Sequence, residues 1–568
     1  MNSINLKAKP FYLDEDDIRW VKDTLQKMSP EEKIGQLFFP LGISYNRFKL
    51  ASLLKEIKPS GILFRANKKR KIYKSHRFIQ NNSEIPMFTA ANMESGGDGI
   101  AFEGTCFARQ MAVAATDEEE MAYRLGLVVG REGKAAGCNL TFSPVVDIDM
   151  NFLNPITNIR TYGSDVERVI RMSKAYINGV RESGLAITLK HWPGDGVDQR
   201  DHHLLTSCNS LSVENWYNSY GKVYKELIDF GAEIVMAGHI TLPALSNALS
   251  LGIIDQEIKP ASLAPELNYK LLREELNFNG VIISDATLMT GFNQAGKRKD
   301  LVPGTIAAGC DIFLFNRDLE EDFGYMVEGL ERGVLTEDRL NDAVTRILAL
   351  KASMKLHIRS NETLIQSKKS LKIIGCDEHK NWSRLCAEKS ITLVKNTQNL
   401  LPISPKQYKK VLYIVKGDAA TLGRASIPFG LHFYNLLKRE GFHVHLFDAK
   451  KANNRFLKKP IKDFLNSYDI AIYCVSEQPY SNKGSNRLIW VPPLGFDCPS
   501  FIEDLPTIMV SFGNPYHLYD APMIKTFINA YTPSKIVQEE VMNLLLGRKE
   551  FKGKNPVDPF CGVWDTVF

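Results

Sequence analysis

Short apolar runs alternate with amphipathic stretches through the first 320 residues, and this alternation restricts the fold more than any other feature of the chain. Each run is rich in β-branched or aromatic residues and is bounded by Gly, Pro or Asn, as expected of buried strands. The eight runs are Ile34 to Pro40, Gly61 to Phe64, Pro86 to Ala91, Leu140 to Val146, Leu185 to Leu189, Ala232 to Met236, Val281 to Ser284 and Asp311 to Phe315. Eight strands alternating with helices predict an α/β fold, a (β/α)₈ barrel of the TIM type, with an active site at the carboxyl ends of the strands.

Polar residues follow most of these runs, as the barrel prediction requires. They are Asn92 and Glu94, Asp147, Lys190 and His191, His239, Asp285, and Asn316. In a barrel these positions converge on one mouth although they are distant in sequence. We therefore expect a polar pocket of the size of a sugar.

A second domain is predicted after the barrel. The helical stretch from Glu337 to Leu356 ends the first domain, so we predict a barrel over 1–358, a connector over 359–380 and a C-terminal domain over 381–568. Strands are predicted there at Lys410 to Val415, His443 to Phe447, Asp469 to Val475, Thr507 to Phe512 and Thr526 to Tyr531, and helices at Leu431 to Glu440 and Pro533 to Gly547. This order predicts a doubly wound α/β sandwich. Its glycines do not form a dinucleotide-binding motif.

Composition excludes several partners. The 568 residues are 44% apolar with a net charge of +6, and Lys and Arg are spread along the chain, so we expect no nucleic-acid partner. The nine cysteines contain no C-x-x-C pair, which favours reduced thiols. The N-terminal residues lack the apolar core of a signal peptide, and no stretch is long and apolar enough to span a bilayer. We expect a cytoplasmic protein without membrane contact, and the oligomeric state stays open.

The segment from Lys190 to His203, KHWPGDGVDQRDHH, is the densest cluster of reactive residue types. Asp201 lies two residues before His203, close enough to accept its ring N–H, and a histidine held by a carboxylate can exchange protons near neutral pH. Asp and His clusters also bind transition metals. A catalytic loop, a metal site and an inert polar loop are therefore all open at this point.

Asp285 ends the apolar run Gly280-Val281-Ile282-Ile283-Ser284. A carboxylate just beyond a buried strand stands where a barrel enzyme places a nucleophile. The alternative is a helix N-cap, because Asp often caps the helix that follows such a strand.

The chain resembles glycoside hydrolase family 3, and within it the β-N-acetylglucosaminidases, whose hallmark is a K-H-F-P-G-H-G loop ending in D-S-H. The segment from Lys190 to His203 carries this resemblance. Weaker matches are Asn154-Pro155 with Arg160-Thr161-Tyr162-Gly163, Pro260-Ala261-Ser262-Leu263, Ala308-Gly309-Cys310-Asp311, Ser390 to Asn396, Leu400-Leu401-Pro402 and Gly513-Asn514-Pro515-Tyr516. The resemblance therefore covers nearly the whole chain.

The resemblance implies a retaining β-N-acetylglucosaminidase, that is a β-N-acetylhexosaminidase, acting by double displacement without a metal or cofactor. It makes Asp285 the nucleophile and His203 the acid/base, with Asp201 orienting the His203 ring. It assigns four positions to sugar binding: Lys190, His191, Arg160 and Asn92. The implied substrate is a terminal β-linked N-acetylglucosamine of a cell-wall or chitin fragment, and the predicted location favours recycled peptidoglycan fragments.

The chain departs from the family pattern at five positions. Asn92 replaces the sugar-binding aspartate of a D-x-E-G-G motif, Ser95 replaces its first glycine, and Gly97 stands where an Arg often follows. Asp195 replaces the second histidine of the loop, and Ala286 replaces a common Asp after the nucleophile. These changes bear on sugar preference and rate, because Asp285, Asp201 and His203 are all retained.

Four alternatives remain for function. A phosphorylase would use phosphate in place of water on the glycosyl-enzyme, since a histidine acid/base repels phosphate less than a carboxylate does. A β-glucosidase of the same family would release glucose instead. A sugar-binding protein with little activity, and a zinc hydrolase using His191, His202 and His203, complete the set.

Overall fold

The computed structural model describes residues 4–250, 252–359, 364–417, 429–447, 459–492 and 495–568. The chain divides into two compact units, both discontinuous in sequence. Unit 1 comprises Met1–Phe107, Ala122–Asn154 and Asp165–Lys380, and unit 2 comprises Ala108–Met121, Pro155–Ser164 and Asn381–Phe568. Unit 2 thus includes two short segments that lie far before the predicted C-terminal domain in the sequence.

Both units alternate helices with strands, which confirms the α/β fold class. The helices are α1 Glu15–Lys27, α2 Pro30–Leu37, α3 Arg47–Glu56, α4 Lys69–Asn82, α5 Gln110–Ala115, α6 Glu119–Ala136, α7 Val166–Arg181, α8 Val213–Trp216, α9 Lys222–Asp229, α10 Pro243–Leu249, α11 Thr290–Asn293, α12 Arg298–Ala307, α13 Leu319–Glu331, α14 Glu337–Ser353, α15 Asp377–Ser390, α16 Leu431–Arg439, α17 Ile461–Ser467 and α18 Lys535–Leu545. The strands are β1 Gly61–Leu63, β2 Phe88–Ala91, β3 Leu140–Thr141, β4 Thr188–Trp192, β5 Ser207–Cys208, β6 Ile234–Ala237, β7 Ile240–Thr241, β8 Val281–Ser284, β9 Thr392–Asn396, β10 Lys410–Gly417, β11 His443–Leu446, β12 Ile470–Ser476, β13 Thr507–Ser511 and β14 Thr526–Asn529.

Parallel pairings link the strands of unit 1 in a series that returns to its start. Strands β1, β2 and β3 form one parallel sheet, and β4, β6 and β8 form another. Single parallel bridges join the remaining segments: Leu140 to Ala186, Ile283 to Ile312, Phe313 to Phe38, and Leu41 to Leu63. The carboxyl ends of these segments therefore share one edge, where β4 and β8 deliver Lys190, His191 and Asp285.

The prediction of a strand from Ile34 to Pro40 was wrong for its first half. Residues 34–37 belong to α2, whose start is stabilised by Pro30 at the first turn and by a capping box between Ser29 and Glu32. Within the run, Phe38 makes a parallel bridge, and Leu41 makes another directly after the run. Residues 311–315 likewise contribute bridges at Ile312 and Phe313 rather than a full strand.

Unit 2 contains a six-stranded sheet in the order β11-β10-β12-β13-β14-β9. Its first five strands are parallel, and β9 pairs with β14 in the antiparallel sense. Apolar clusters cover both faces of the sheet, as a doubly wound arrangement requires. The edge strand β9 was missed from the sequence, although its residues were recognised as a family match.

All nine cysteines are free thiols. Among the described residues, no helix combines the length and the apolar character needed to cross a bilayer.

Candidate active site

The loop after β4 turns sharply at two glycines. Gly194 and Gly196 have φ values of +120° and +108°, a region that side chains other than glycine rarely adopt. A Cβ atom on Gly194 would lie 2.1 Å from the ring of Tyr220, and one on Gly196 would lie 1.9 Å from the carbonyl oxygen of Ile148. The Tyr220 hydroxyl donates to the carbonyl oxygen of Asp195, between the two glycines. The two glycines therefore allow the loop to reverse its direction, so that its second half lies near the ends of the strands.

Asp201 and His203 form a hydrogen-bonded pair at the end of this loop. Asp201 Oδ1 accepts from His203 Nδ1 at 2.7 Å and from the His203 backbone N–H at 2.8 Å. The Asp201 side chain is fully buried and that of His203 is 22% exposed. Because an ionised carboxylate only accepts, Nδ1 carries the proton in this contact, and Nε2 is the ring nitrogen available for proton transfer.

Asp285 lies directly after β8, at the same edge. Its Oδ1 accepts from the backbone N–H of Ala286 at 2.6 Å, and its Oδ2 lies 3.5 Å from His202 Nε2. The N–H donated by Ala286 stabilises the ionised form of this carboxyl group against the cost of burial. A nucleophile must be ionised, so Asp285 has a backbone donor of the kind that this role requires.

Two further pairs lie where β4 ends. The backbone N–H of His191 donates to Asp147 Oδ1 at 3.0 Å, and its ring Nδ1 donates to Asp147 Oδ2 at 2.7 Å. Lys190 Nζ lies 2.7 Å from Glu94 Oε1, and its side chain is nearly buried. Asp147 thus fixes the tautomer of His191, and Glu94 compensates the buried charge of Lys190.

His202 lies at the centre of these groups and is fully buried. Its ring centroid is 5.1 Å from that of His191, 4.9 Å from that of His203 and 6.4 Å from that of His239. Burial lowers the pKa of His202 well below its ordinary value, so its ring is neutral. His202 is therefore a common neighbour of Asp285 and His203.

The structure brings five of the predicted site residues together in unit 1: Asp285, His203, Asp201, Lys190 and His191. Asn92 follows β2 in the same unit and is exposed. Arg160 belongs to unit 2, where its Nη1 donates to the carbonyl oxygen of Ile156 at 3.2 Å. The sugar-binding roles of Asn92 and Arg160 stay predictions.

The side chains that hold the site residues in place were not predictable as such from the sequence. Asp147 was recognised only as a polar strand end, although its place directly after an apolar run was the signal for its role. Asp195 was treated as a departure from the family loop, whereas the structure places its Oδ2 3.4 Å from His202 Nδ1. His239 was expected at the mouth, and it bridges Ser262 Oγ at 2.9 Å and the carbonyl oxygen of Ala286 at 3.1 Å. The contact with Ala286 supports the backbone directly after Asp285.

The structure explains why residue 97 is a glycine, at the position where an Arg often follows the D-x-E-G-G motif. A Cβ atom there would lie 2.0 Å from Glu132 Oε2. Glu132 is fully buried and accepts from the backbone N–H and the hydroxyl of Thr105 and from His379 Nδ1. The close approach of this carboxylate therefore leaves no room for a side chain at residue 97.

The arrangement provides an ionised carboxylate and an oriented imidazole for proton transfer, which are the two functions that a retaining glycosidase needs. Two groups of side chains in the described part of the chain could also hold a metal ion: His191 with His202 and Asp285, and Cys376 with Glu378 and His379. The predicted zinc set of His191, His202 and His203 is not among them, because Asp285 takes the place of His203.

Comparisons with known proteins identify the family. Residues 29–350 match the N-terminal domain of glycosyl hydrolase family 3. A beta-N-acetylglucosaminidase/beta-glucosidase of Cellulomonas fimi is 40% identical over 99% of this chain and 100% of its own length. A solved beta-glucoside phosphorylase superposes with a TM-score of 0.93 at 40% identity, covering 98% of this chain and 99% of that one.

A more distant structure agrees in fold. A family 3 beta-N-acetylglucosaminidase from Paenibacillus sp. str. FPU-7 superposes with a TM-score of 0.78 at 21% identity, over 94% of this chain and all of that one. The motifs from Lys190 to His203 therefore indicated the correct family, and the chain belongs to glycosyl hydrolase family 3.

Proposed function

We propose that this protein is a retaining β-glycosidase that releases terminal β-linked N-acetylglucosamine, with Asp285 as nucleophile and His203 as acid/base. The observation that carries the proposal is the position of His202, whose ring lies 3.5 Å from Asp285 Oδ2 and 4.9 Å, centroid to centroid, from His203. In this proposal the closed series of parallel pairings in unit 1 is a (β/α)₈ barrel, and the cluster lies at its mouth.

The first step forms a glycosyl-enzyme. A carboxylate oxygen of Asp285 attacks the anomeric carbon, and the bond from that carbon to the leaving oxygen breaks while His203 Nε2–H protonates that oxygen. Asp201 stabilises the imidazolium and keeps Nε2 directed at the substrate through its contact with Nδ1. The proton lost from Nε2 leaves His203 neutral and ready to act as a base.

The second step releases the sugar. His203 Nε2 removes a proton from water, the water oxygen attacks the anomeric carbon, and the ester bond to Asp285 breaks. Two inversions give net retention of the β configuration. Glu94 and Asp147 hold the side chains of Lys190 and His191, which are proposed to bind sugar hydroxyls, and Asn92 is proposed to add a further contact.

Phosphorolysis is a second candidate, favoured by the 40% identical beta-glucoside phosphorylase of nearly the same length. In this reaction a phosphate oxygen takes the place of water in the second step and the product is a sugar 1-phosphate. An imidazole beside the anomeric carbon carries no negative charge when it is deprotonated, so it repels phosphate less than a carboxylate acid/base would. The dual name of the Cellulomonas fimi relative makes glucosides the first alternative to N-acetylglucosaminides.

One set of assays tests both the reaction and the residues. Aryl β-N-acetylglucosaminide and aryl β-glucoside are incubated with and without inorganic phosphate, and products are followed by NMR. We expect faster release of N-acetylglucosamine than of glucose, and the β anomer as first product. A sugar 1-phosphate that forms only with phosphate would establish phosphorolysis, and faster glucose release would replace the proposed sugar preference.

Trapping identifies the nucleophile independently. A 2-fluoro glycoside with a good leaving group is expected to accumulate a covalent intermediate, and peptide mass spectrometry should place the sugar on Asp285. Labelling of another carboxylate would contradict the assignment. An absence of both turnover and labelling with these glycosides would favour a sugar-binding protein.

A further inference from the structure

We propose that His191, His202 and Asp285 form a binding site for a divalent transition-metal ion, with Zn²⁺ as the best fit, and that the bound ion inhibits the enzyme. Nothing in the proposed reaction uses His202 as a proton donor or acceptor. The inhibition rests on the proposed role of Asp285 as nucleophile, whereas the metal binding does not.

The three donor atoms lie close enough together to share one ion. One ligand atom from each of the three residues lies within 4.8 Å of the other two. The separation of 3.5 Å between His202 Nε2 and Asp285 Oδ2 is long for a hydrogen bond. It matches the edge of about 3.4 Å between two ligands that each bind Zn²⁺ at about 2.1 Å.

In both His191 and His202, the ring nitrogen Nδ1 lies near a carboxylate, as it does in metal-binding histidines. Asp147 Oδ2 accepts from Nδ1 of His191 at 2.7 Å, which leaves Nε2 as a lone-pair donor. Asp195 Oδ2 lies 3.4 Å from Nδ1 of His202 on the side opposite to Asp285. This carboxylate–histidine–metal order fixes the tautomer and raises the basicity of the ligand.

His202 is the least satisfied polar side chain of the site. It is 0% exposed, and neither ring nitrogen makes a hydrogen bond. An imidazole buried in this way costs free energy unless a partner is supplied. An ion bound at Nε2 supplies one and lets Nδ1–H approach Asp195.

The charges of the cluster favour a cation. Four carboxylates each lie within 3.5 Å of a ring nitrogen of one histidine: Asp147 of His191, Asp195 and Asp285 of His202, and Asp201 of His203. The charge of Lys190 is already compensated by Glu94. Two nitrogens and one oxygen form a donor set of intermediate softness that selects Zn²⁺ or Co²⁺ over Mg²⁺.

Occupancy has a defined chemical consequence. An ion bound to Asp285 Oδ2 withdraws the negative charge that would attack the anomeric carbon, and it takes the Nε2 of His191 that is proposed to bind the sugar. The substrate and the metal ion are therefore expected to compete for the same binding site. The expected behaviour is reversible inhibition by Zn²⁺ that disappears on chelation.

The experiment measures binding apart from activity. Wild type, His202→Ser, Asp195→Asn and Cys376→Ser are dialysed against chelator, freed of it, and titrated with Co²⁺ while visible absorption is recorded, then with Zn²⁺ by calorimetry. The Cys376→Ser variant controls for the other candidate group, Cys376, Glu378 and His379. We expect one tetrahedral Co²⁺ spectrum in wild type and in Cys376→Ser.

The variants should distinguish a residue that binds the metal ion from a residue that only orients it. His202→Ser removes a ligand and should weaken Zn²⁺ binding by more than about 100-fold, and Asp195→Asn should weaken it by about 10-fold. Zn²⁺ should slow labelling of Asp285 by the 2-fluoro glycoside in wild type, and Mg²⁺ should not.

Unchanged Zn²⁺ affinity in His202→Ser, loss of the ion in Cys376→Ser, or an absence of micromolar binding in wild type would each overturn the site. Zn²⁺ binding without slower labelling would overturn the inhibition alone. If no glycoside is turned over or labelled at all, the proposed function fails while the Co²⁺ spectrum still decides the metal site.

Discussion

The two units place buried charges near their parallel strands in different ways. In unit 2, Lys416 on β10 contacts Asp497 Oδ2 at 2.5 Å and Lys483 contacts Glu477 Oε2 at 2.5 Å, so each cation meets a carboxylate directly. Unit 1 also has direct pairs, such as Lys190 with Glu94, but its Asp201 and Asp147 each pair with a histidine ring through Nδ1, which leaves Nε2 of that ring for proton transfer or binding. The contrast shows that a buried charge by itself does not mark an active site.

The two kinds of pair differ in whether the basic side chain can still transfer a proton or bind a ligand. A lysine paired with a carboxylate has its charge neutralised and contributes to stability or to specificity of packing. A histidine paired through Nδ1 keeps a titratable nitrogen whose orientation is fixed. The pairs in unit 1 are therefore expected to control rate, and those in unit 2 to control stability.

The largest effect is expected from Asp285→Asn. The amide keeps the shape of the side chain but cannot attack the anomeric carbon, so kcat/KM should fall by about 10⁴-fold or more. The comparison variant is Asp497→Asn in unit 2, which should keep its kcat/KM for aryl glycosides. A smaller loss in Asp285→Asn than in Asp497→Asn would reverse the comparison.

His203→Gln should have the next largest effect. Loss of the acid/base should lower kcat/KM for an aryl glycoside with a poor leaving group by roughly 10²- to 10⁴-fold. The loss should be much smaller with a dinitrophenyl leaving group, because that oxygen needs no proton. Equal losses with both leaving groups would show that His203 acts on structure rather than on proton transfer.

Gly194→Ala is expected to disturb the site through the loop. The new Cβ atom would lie 2.1 Å from the Tyr220 ring at a φ of +120°, so the loop must shift and kcat/KM should fall roughly 100-fold. Gly324→Ala is the matched control, since nothing lies within 4 Å of a Cβ atom there. A Gly194→Ala variant with wild-type kinetics would mean that the loop tolerates other conformations.

Lys416→Met should affect activity least. Removal of the lysine leaves the buried carboxylate of Asp497 without its counter-charge, and the free energy of unfolding should fall by about 3 kcal/mol. The kcat of the folded enzyme should stay within a factor of two or so of wild type, a change of less than about 0.5 kcal/mol. Urea unfolding and active-site titration measure the two quantities separately.

Most strands could be predicted from the sequence because apolar runs bounded by turn residues define them locally. Val281–Ser284 matches its prediction, and the five strands predicted for unit 2 begin within one residue of the predicted starts. Two strand predictions failed because a local feature of the sequence obscured or opposed the strand pattern. The Ser29 capping box converted the start of Ile34 to Pro40 into a helix, and the antiparallel edge strand β9 has a mixed burial pattern that offers no clear period.

The sequence by itself determined the family and the α/β class, and it singled out Asp285, His203 and Asp201 as candidate catalytic residues, because each of these follows from local spacing or a contiguous motif. Only the tertiary structure decided that Asp147 orients His191, that Glu132 excludes a side chain at Gly97, and that His202 lies between Asp195 and Asp285. These contacts join residues from different strands and loops. The distance between two residues along the sequence does not tell which side chains come into contact. Those contacts depend on how the ends of the strands converge in the folded protein.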